Sequence, residues 1–303
     1  MSYQTLKGKD FSWHHVSHLD DADFEYFRKQ FKFHPLDFDD VRDETEIPKM
    51  ENYRHYLFVL FTIPKFNSKT SRVAKENLCI FISGTYVVTI TRTPIESVDR
   101  FFSKAKRGTR LRRHVMGKST GYFLYQLLDY VFKDAKDILQ ELVREANNVE
   151  QAVYDVRTQV TTKRLGIVRG NVLFMRQAID PQRMLVDQIM NTRKTYLSKD
   201  LDLYYEDVKD TLDSMWVISD NLKNTVDGLF DVNEAFLSHR TNEIIRLLTV
   251  ISVILLPATL ITGYFGMNVE RLPFAEEPIV VTVLILSSIL LFWITIFFID
   301  RRK

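Results

Sequence analysis

Two uninterrupted apolar stretches near the C-terminus limit what this chain can fold into. No charged residue occurs between Leu247 and Val269, nor between Pro278 and Ile299. A hydrocarbon core of ~30 Å needs about 20 such residues per helix, so each stretch is long enough to cross a membrane. A buried pair of core helices is the rival arrangement, but such helices usually keep a polar face and rarely run so far without a charge. The sequence therefore predicts spans at 244–265 and 278–299, joined by an outer loop at 266–277.

The flanks give the orientation, because Lys and Arg near span ends stay on the cytoplasmic side. Arg240 and Arg246 precede the first span, and Arg301, Arg302 and Lys303 follow the second in a basic tail at 300–303. The outer loop carries Arg271 against Glu270, Glu276 and Glu277. Both termini are expected in the cytoplasm of a multi-pass protein of the cytoplasmic membrane. The start, M-S-Y-Q-T-L-K-G-K-D-F, lacks the apolar core of a secretory signal, so the domain before Thr241 is expected to stay inside.

Lys plus Arg number 41 and Asp plus Glu 39, a formal net charge of +2 that argues against nucleic acid as a partner. Cys79, the only cysteine, excludes a disulfide framework and a multi-cysteine zinc site, and fits a reducing cytosol.

Between Phe11 and Arg92 short β-rich runs alternate with turn residues such as Ser83-Gly84: F-S-W-H-H-V, H-Y-L-F-V-L-F-T-I, L-C-I-F-I and Y-V-V-T-I-T. Asp20 to Phe31 is helical in pattern, capped by Asp20 or Asp21. This mixture predicts a cytoplasmic α/β (α+β) domain at 1–118. Helices are expected at Ile95 to Lys106, Thr120 to Val156 and Lys163 to Thr195, the last two forming a helical hairpin region at 119–200. Pro181 is expected to kink or break the last of them. Charge is uneven: 151–200 has nine Lys/Arg against four Asp/Glu, and 201–234 has two against nine. Helices of opposite sign pack side by side favourably, although each exposed pair contributes little.

From Leu201 a single helix is expected to run through a stalk at 201–243 into the first span, reaching on the order of 100 Å at 1.5 Å per residue. With Asn242 at heptad position a, one row reads Asp207, Ser214, Asn221, Gly228, Ala235, Asn242, Thr249, Leu256, Gly263. The d row reads Asp210, Val217, Asn224, Asp231, Ser238, Ile245, Ser252, Thr259, Gly266. A coiled coil would fill both rows with Leu and Ile; here they are mostly small or polar. Two arrangements answer this pattern. Several copies can surround an aqueous axis, since polar groups in a span face a partner or water, or two helices can pack closely through small residues. Only the first also accounts for Asn221, Asn224 and Asp231 below the membrane.

Gly266-Met267-Asn268, preceded by Tyr264-Phe265 at the outer end of the first span, resembles the signature of the CorA magnesium transporters. The resemblance extends through Thr241 to Glu243, Pro257, F-H-P-L-D-F-D-D-V (Phe33 to Val41), P-K-M-E-N-Y (Pro48 to Tyr53) and Tyr56 to Leu60, and so over nearly the whole chain. It implies a homopentamer with an αβα sandwich-like, funnel-shaped cytoplasmic domain, a stalk helix and an outer ring of second spans. Gly266, Met267 and Asn268 would form the selectivity filter, with Glu270 attracting cations to the mouth. Mg²⁺ dehydrates reluctantly, so a ring of Asn268 amides suits the hydrated ion. Gly266 would allow a tight turn there, with Met267 packed behind it. Asn242, Leu248, Leu256, Thr259 and Gly263 match pore-facing positions, and Ile245, Thr249 and Ser252 share the pore-lining rows. Leu248 and Leu256 would be constrictions that close by dewetting.

Asp231 matches an axial acidic position, and Asp207 one in an inter-subunit site that senses cytoplasmic Mg²⁺. The usual acidic partner of that site is missing from T-I-P-K-F-N-S-K, where Asn67 or Ser68 would have to substitute. Other departures are the basic segment 151–200 and Phe274, where a glutamate is common. Glu206, Asp213, Asp220, Asp227 and Glu234 recur every seven residues beside the axial rows, so the regulatory ion is expected to bind weakly at several places, Asp207, Asp213 and Asp220 among them. The resemblance thus implies a divalent-cation channel for Mg²⁺, with Co²⁺ or Ni²⁺ as further ions, gated by internal Mg²⁺. Its partners would be the membrane, copies of itself and metal ions, with no organic cofactor. A proton-coupled zinc transporter of the ZntB branch is the alternative, but that branch usually carries G-V-N at the mouth, and Met267 speaks against it. A membrane-tethered receptor or scaffold without flux would not need the polar rows. No phosphate loop, H-E-x-x-H or G-x-S-x-G supports an enzyme. His14, His15 and His18 invite a metal, but a strand puts His14 and His15 on opposite faces.

Overall fold

The β-rich runs become one six-stranded sheet in the computed structural model, which describes residues 3–18, 30–42, 47–154, 158–267 and 278–300. The strands are β1 (Tyr3–Lys7), β2 (Ser12–Ser17), β3 (Lys49–Asn52), β4 (Leu57–Asn67), β5 (Arg72–Ile82) and β6 (Tyr86–Thr91). Their order is β1-β2-β6-β5-β4-β3, with β2 and β6 parallel and every other pair antiparallel. The edge strands β1 and β3 are polar and had no apolar alternation to reveal them. The helix expected at Asp20 to Phe31 falls mostly outside the described residues.

Both faces of the sheet are covered, which is why β4 is buried continuously from Leu57 to Pro64. On one face helix α1 (Pro35–Arg42) sets Phe38 and Val41, with Phe33, against Val16, Phe58, Leu60, Phe81, Val88 and Ile90. On the other, Trp13 meets Phe101 and Phe102 of α2 (Glu96–Arg107) at ring distances of 5.8 and 4.8 Å. Trp13 also meets Phe123, and Phe61 meets Phe132, at 4.8 and 5.8 Å. Phe123 and Phe132 lie on α4 (Thr120–Tyr154), which follows a short α3 (Thr109–Met116) that the sequence pattern did not show. Helix α5 (Thr158–Asn191) returns along the sheet.

Pro181 corrects an expectation: it lies inside α5, and the helix continues through it. The missing N–H is tolerated because the helix is held on the sheet around it. Ala178, Ile179, Leu185 and Val186 are buried, and the buried Gln182 amide donates 2.7 Å bonds to both Ala178 O and Thr62 O of β4.

A 3₁₀ turn (Lys199–Leu201) leads into α6 (Asp202–Phe265), a single helix of 64 residues, and α7 (Pro278–Asp300) ends the described chain. The chain divides into two compact units, Met1–Phe230 and Asp231–Lys303. Within the first, the starts of α4 and α6 meet across a glycine. A Cβ on Gly121 would lie 2.1 Å from Tyr196 O, and Tyr205 Oη donates to Gly121 O at 2.9 Å. Only a residue without a side chain lets these backbones approach so closely.

Among the described residues α6 is the one helix long and apolar enough to cross a membrane, and the apolar stretch Ile279–Leu291 within α7 is shorter. Ile244, Leu247, Leu248, Leu255, Leu256 and Leu260 are exposed in the protomer, as are Ile279, Leu286, Leu290 and Trp293.

The segment Phe33 to Val41 encloses a buried carboxylate. Asp37, in the first turn of α1, is fully buried and accepts hydrogen bonds from Tyr53 Oη (2.7 Å) and Tyr56 Oη (2.6 Å). Tyr56 Oη in turn accepts from His34 N at 2.7 Å, so the network pins α1 to the β3–β4 turn. Burial raises the Asp37 pKa above the ordinary 3.8, and the two phenols offset only part of this. A raised folded-state pKa means that the folded chain holds the proton more tightly. The associated stability is complete below the unfolded value and is lost as pH rises through the folded one. Wild-type stability should therefore decline, relative to Asp37→Asn, as pH rises from 3.8 through that window. Thermal melts of both chains across the window check this, and parallel curves would remove Asp37 as the cause.

Candidate functional site

The residues assigned to a pore axis all lie on α6 and all face outward from the protomer: Asn242, Ile245, Leu248, Thr249, Ser252, Leu256, Thr259 and Gly263 are exposed. Their hydroxyls share one local bond. Thr249 Oγ1 donates to Ile245 O (2.8 Å), Ser252 Oγ to Leu248 O (2.9 Å) and Thr259 Oγ1 to Leu255 O (2.9 Å). Each hydroxyl hydrogen is thus committed to its own helix, which leaves the oxygen lone pairs to point outward as acceptors. Pro257, buried in the same helix, has no N–H to give the carbonyl of Val253.

The helix closes at the tripeptide. Gly266 N donates to Thr262 O at 2.9 Å and Met267 N to Tyr264 O at 3.4 Å. Gly266 does not use the left-handed region expected of a tight glycine turn. Its Cβ would instead lie 3.0 Å from Thr262 O, so the turn depends on close approach. Met267, expected to pack behind the filter, is exposed in the protomer. Asn268 and Glu270 lie outside the described residues.

The acidic face of α6 is largely paired inside the protomer. Arg183 binds Asp213, Arg176 Nη2 lies 3.0 Å from Asp220, and Arg169 Nε lies 2.9 Å from Asp227. Lys209 reaches back to Asp187 at 2.6 Å. In each pair the residue numbers rise on one helix as they fall on the other, so α5 and α6 run antiparallel in a fixed register, with the three arginine rungs seven residues apart and the Lys209 rung four residues before them. The opposite charges of 151–200 and 201–234 are thereby used. Arg183 and Arg176 also lie over the Trp216 ring, at 4.9 and 5.9 Å, and Arg169 over Phe230 at 4.8 Å. Lys223 beside it, and then Arg169 across from it, hold Asp227 below the usual carboxylate range. Asp213 and Asp220, expected among the ligands of the regulatory ion, thus each have one carboxylate oxygen against a guanidinium within the protomer.

Asp207, by contrast, is exposed, as is Asp231. Burial, and then the carboxylates of Asp129 and Asp207, push the Tyr125 phenol up to about 12. Asp129, on α4, which the sequence reading did not single out, acts on the same phenol as Asp207. It sits in an ordinary amphipathic helix beside Lys133, 2.7 Å away, and no motif marks it. Asn67 does not stand in for the missing carboxylate, because its Oδ1 accepts from Lys69 N (3.0 Å) and Thr70 N (3.3 Å) to close the β4–β5 turn. His14, His15 and His18 are each hydrogen-bonded within the fold. His15 bonds Thr89 and Asp99 at 2.9 and 2.8 Å, His14 lies among Tyr3, Thr5 and Ser12, and His18 Nδ1 bonds Arg92 O at 3.0 Å. No group of three or more His, Cys, Asp or Glu side chains able to hold a metal occurs among the described residues.

Comparison with known proteins bears on the same elements. The family model described as CorA-like Mg²⁺ transporter protein matches residues 8–302. The cobalt/magnesium transport protein CorA of Thermotoga maritima is 25% identical over 244 residues, covering 80% of this chain and 68% of that protein. Its namesake from Methanocaldococcus jannaschii is 27% identical over 243 residues, covering 78% and 73%. The complete structure of the Methanocaldococcus jannaschii CorA magnesium transporter superimposes with a TM-score of 0.77 at 20% identity, covering 98% of this chain and 92% of that one.

The ion-pair ladder has a measurable consequence. Its pairs are half-exposed, so each should contribute about 0.5 kcal/mol and weaken with salt. A double-mutant cycle with Arg176→Ala and Asp220→Ala, read by thermal unfolding at low and high ionic strength, should give a coupling of this size that shrinks with salt. Zero coupling at low salt would mean that the rung is incidental.

Proposed function

Because the chain belongs to the CorA family, we propose that it conducts divalent cations, Mg²⁺ first and Co²⁺ next, across the cytoplasmic membrane. The observation that carries this reading is the outward-facing row on α6, where hydroxyls with free lone pairs alternate with Leu248 and Leu256. In a lone soluble helix such a surface would be left in water at high cost. In a homopentamer the polar rows would line an axis and the remaining apolar side chains would face lipid or α7. We read α6 and α7 as the two spans, with both termini in the cytoplasm.

In this reading Gly266, Met267 and Asn268 of five copies form the mouth, and the Asn268 amides hold the ion through its water shell. Glu270 draws cations toward it, Asn242 and Asp231 continue the axis inward, and Leu248 and Leu256 close it by dewetting. Internal Mg²⁺ regulates the channel at Asp207. Asp213 and Asp220, bound to arginines, serve the ladder. The absence of catalytic motifs fits a transporter rather than an enzyme, and Met267 favours magnesium over the zinc branch.

Uptake of Mg²⁺ into proteoliposomes, with Co²⁺ and Zn²⁺ as competitors, tests the proposal. Asn268→Ala should abolish uptake while leaving the oligomer intact on size exclusion, and wild-type flux in that variant would end the filter assignment. For regulation, Asp207→Ala should shift inhibition by internal Mg²⁺ to higher concentration, whereas Asp213→Ala should lower thermal stability without moving it. The opposite pattern would return the regulatory ion to the paired carboxylates.

A further inference from the structure

Positive charge is concentrated on one part of the first unit. Between Lys104 and Lys118 lie Lys104, Lys106, Arg107, Arg110, Arg112, Arg113 and Lys118, with no carboxylate among them. Lys104 and Lys106 bond the neutral groups Tyr130 Oη (3.0 Å) and Gln4 Oε1 (2.9 Å). Arg107, Arg110, Arg112 and Arg113 have no ion pair among the described residues. The turn after β1 adds to the cluster, because Gly8 packs on the end of α3, where its Cβ would lie 3.2 Å from Met116 Cβ. The exposed Lys7 and Lys9 flank that glycine. In a chain of net charge +2 this is segregation of charge, not composition.

The basic segment leads directly into a group of tyrosines. Lys118 Nζ lies 4.2 Å from the Tyr122 ring and 5.6 Å from Tyr204. Tyr204 meets Tyr122 at 5.4 Å and Tyr125 at 5.0 Å, and Tyr122 Oη is 3.3 Å from His114 Nε2. Two chemistries thus adjoin: guanidinium forks suited to phosphate oxygens, and the partly exposed ring of Tyr204, packed on the buried Tyr122 and suited to a base.

We propose that this surface binds a nucleoside polyphosphate. The phosphates lie on Arg110, Arg113 and Lys118, and the base stacks on Tyr204. The site rests on side-chain placement alone, and its test requires no ion flux.

The test is calorimetric titration of MgATP, and separately of magnesium tripolyphosphate, into the full chain in an uncharged detergent. Both ligands should bind saturably. Arg110→Gln with Arg113→Gln, both surface changes, should weaken both ligands roughly tenfold. Tyr204→Leu should weaken MgATP several-fold and leave tripolyphosphate unchanged, and melting temperatures establish that each variant is folded. Absence of saturable MgATP binding, or wild-type affinity in the double arginine variant, overturns the site. Equal loss of both ligands in Tyr204→Leu overturns the nucleoside part.

Discussion

A helix long and apolar enough to cross hydrocarbon must keep its backbone polar groups bonded without help from its surroundings, and α6 departs from this at Pro257, which has no N–H for the carbonyl of Val253. The helix is continuous over 64 residues, and the character of its side chains changes along it. In the first unit the pattern is amphipathic, with Tyr205, Val208, Leu212, Met215, Leu222 and Val226 buried and acids facing α5. In the second the buried stripe is lost, and large aliphatic side chains cover the outside. Thr249, Ser252 and Thr259 follow the same rule by bonding carbonyls of their own helix. A hydroxyl so placed needs no partner and remains able to accept one.

Electrostatics is treated differently in the two halves of the first unit. On α5 and α6 opposite charges are matched rung by rung, and the arginine stems also cover Trp216 and Phe230, so each rung combines a modest ion pair with aromatic packing. Lysine could supply the charge but not the planar cover. Around α1 the strategy is reversed, since a single carboxylate, Asp37, is buried with no cation bonded to it among the described residues and is held by two phenols. Such a group fixes geometry at a cost in stability, because its bonds must form together or leave a charge stranded.

Much of this was legible in the chain. The strands β2, β4, β5 and β6 follow from their apolar runs, the unbroken α6 from the lack of early proline and glycine, and the α5–α6 pairing from opposite charge. The misses have common physical causes. Strands β1 and β3 lie at sheet edges, where polar residues are tolerated and the alternation fades. Pro181 reads as a breaker in isolation, but burial on the sheet and the double bond from Gln182 offset one lost hydrogen bond. Asp213 and Asp220 read as a free acidic stripe because a heptad count sees one helix at a time, whereas their partners lie 30 and 44 residues away on α5. Asn67 resembles a ligand in sequence and is a turn-forming residue in space.

The sheet order also sets a sequence of events during synthesis. Strand β2 pairs with β6 alone on its inner side, in parallel, from Ser12↔Tyr86 to Ser17↔Thr91. The β1–β2 hairpin is therefore made first and seated last, because its docking edge does not exist until Thr91 has left the ribosome. Strands β3 to β6 can pair by local antiparallel contacts as they emerge, whereas the opening hairpin must wait for a loop of about 70 residues to close. Until then Trp13 and Val16, fully buried in the finished fold, remain exposed on the nascent chain for a chaperone to cover.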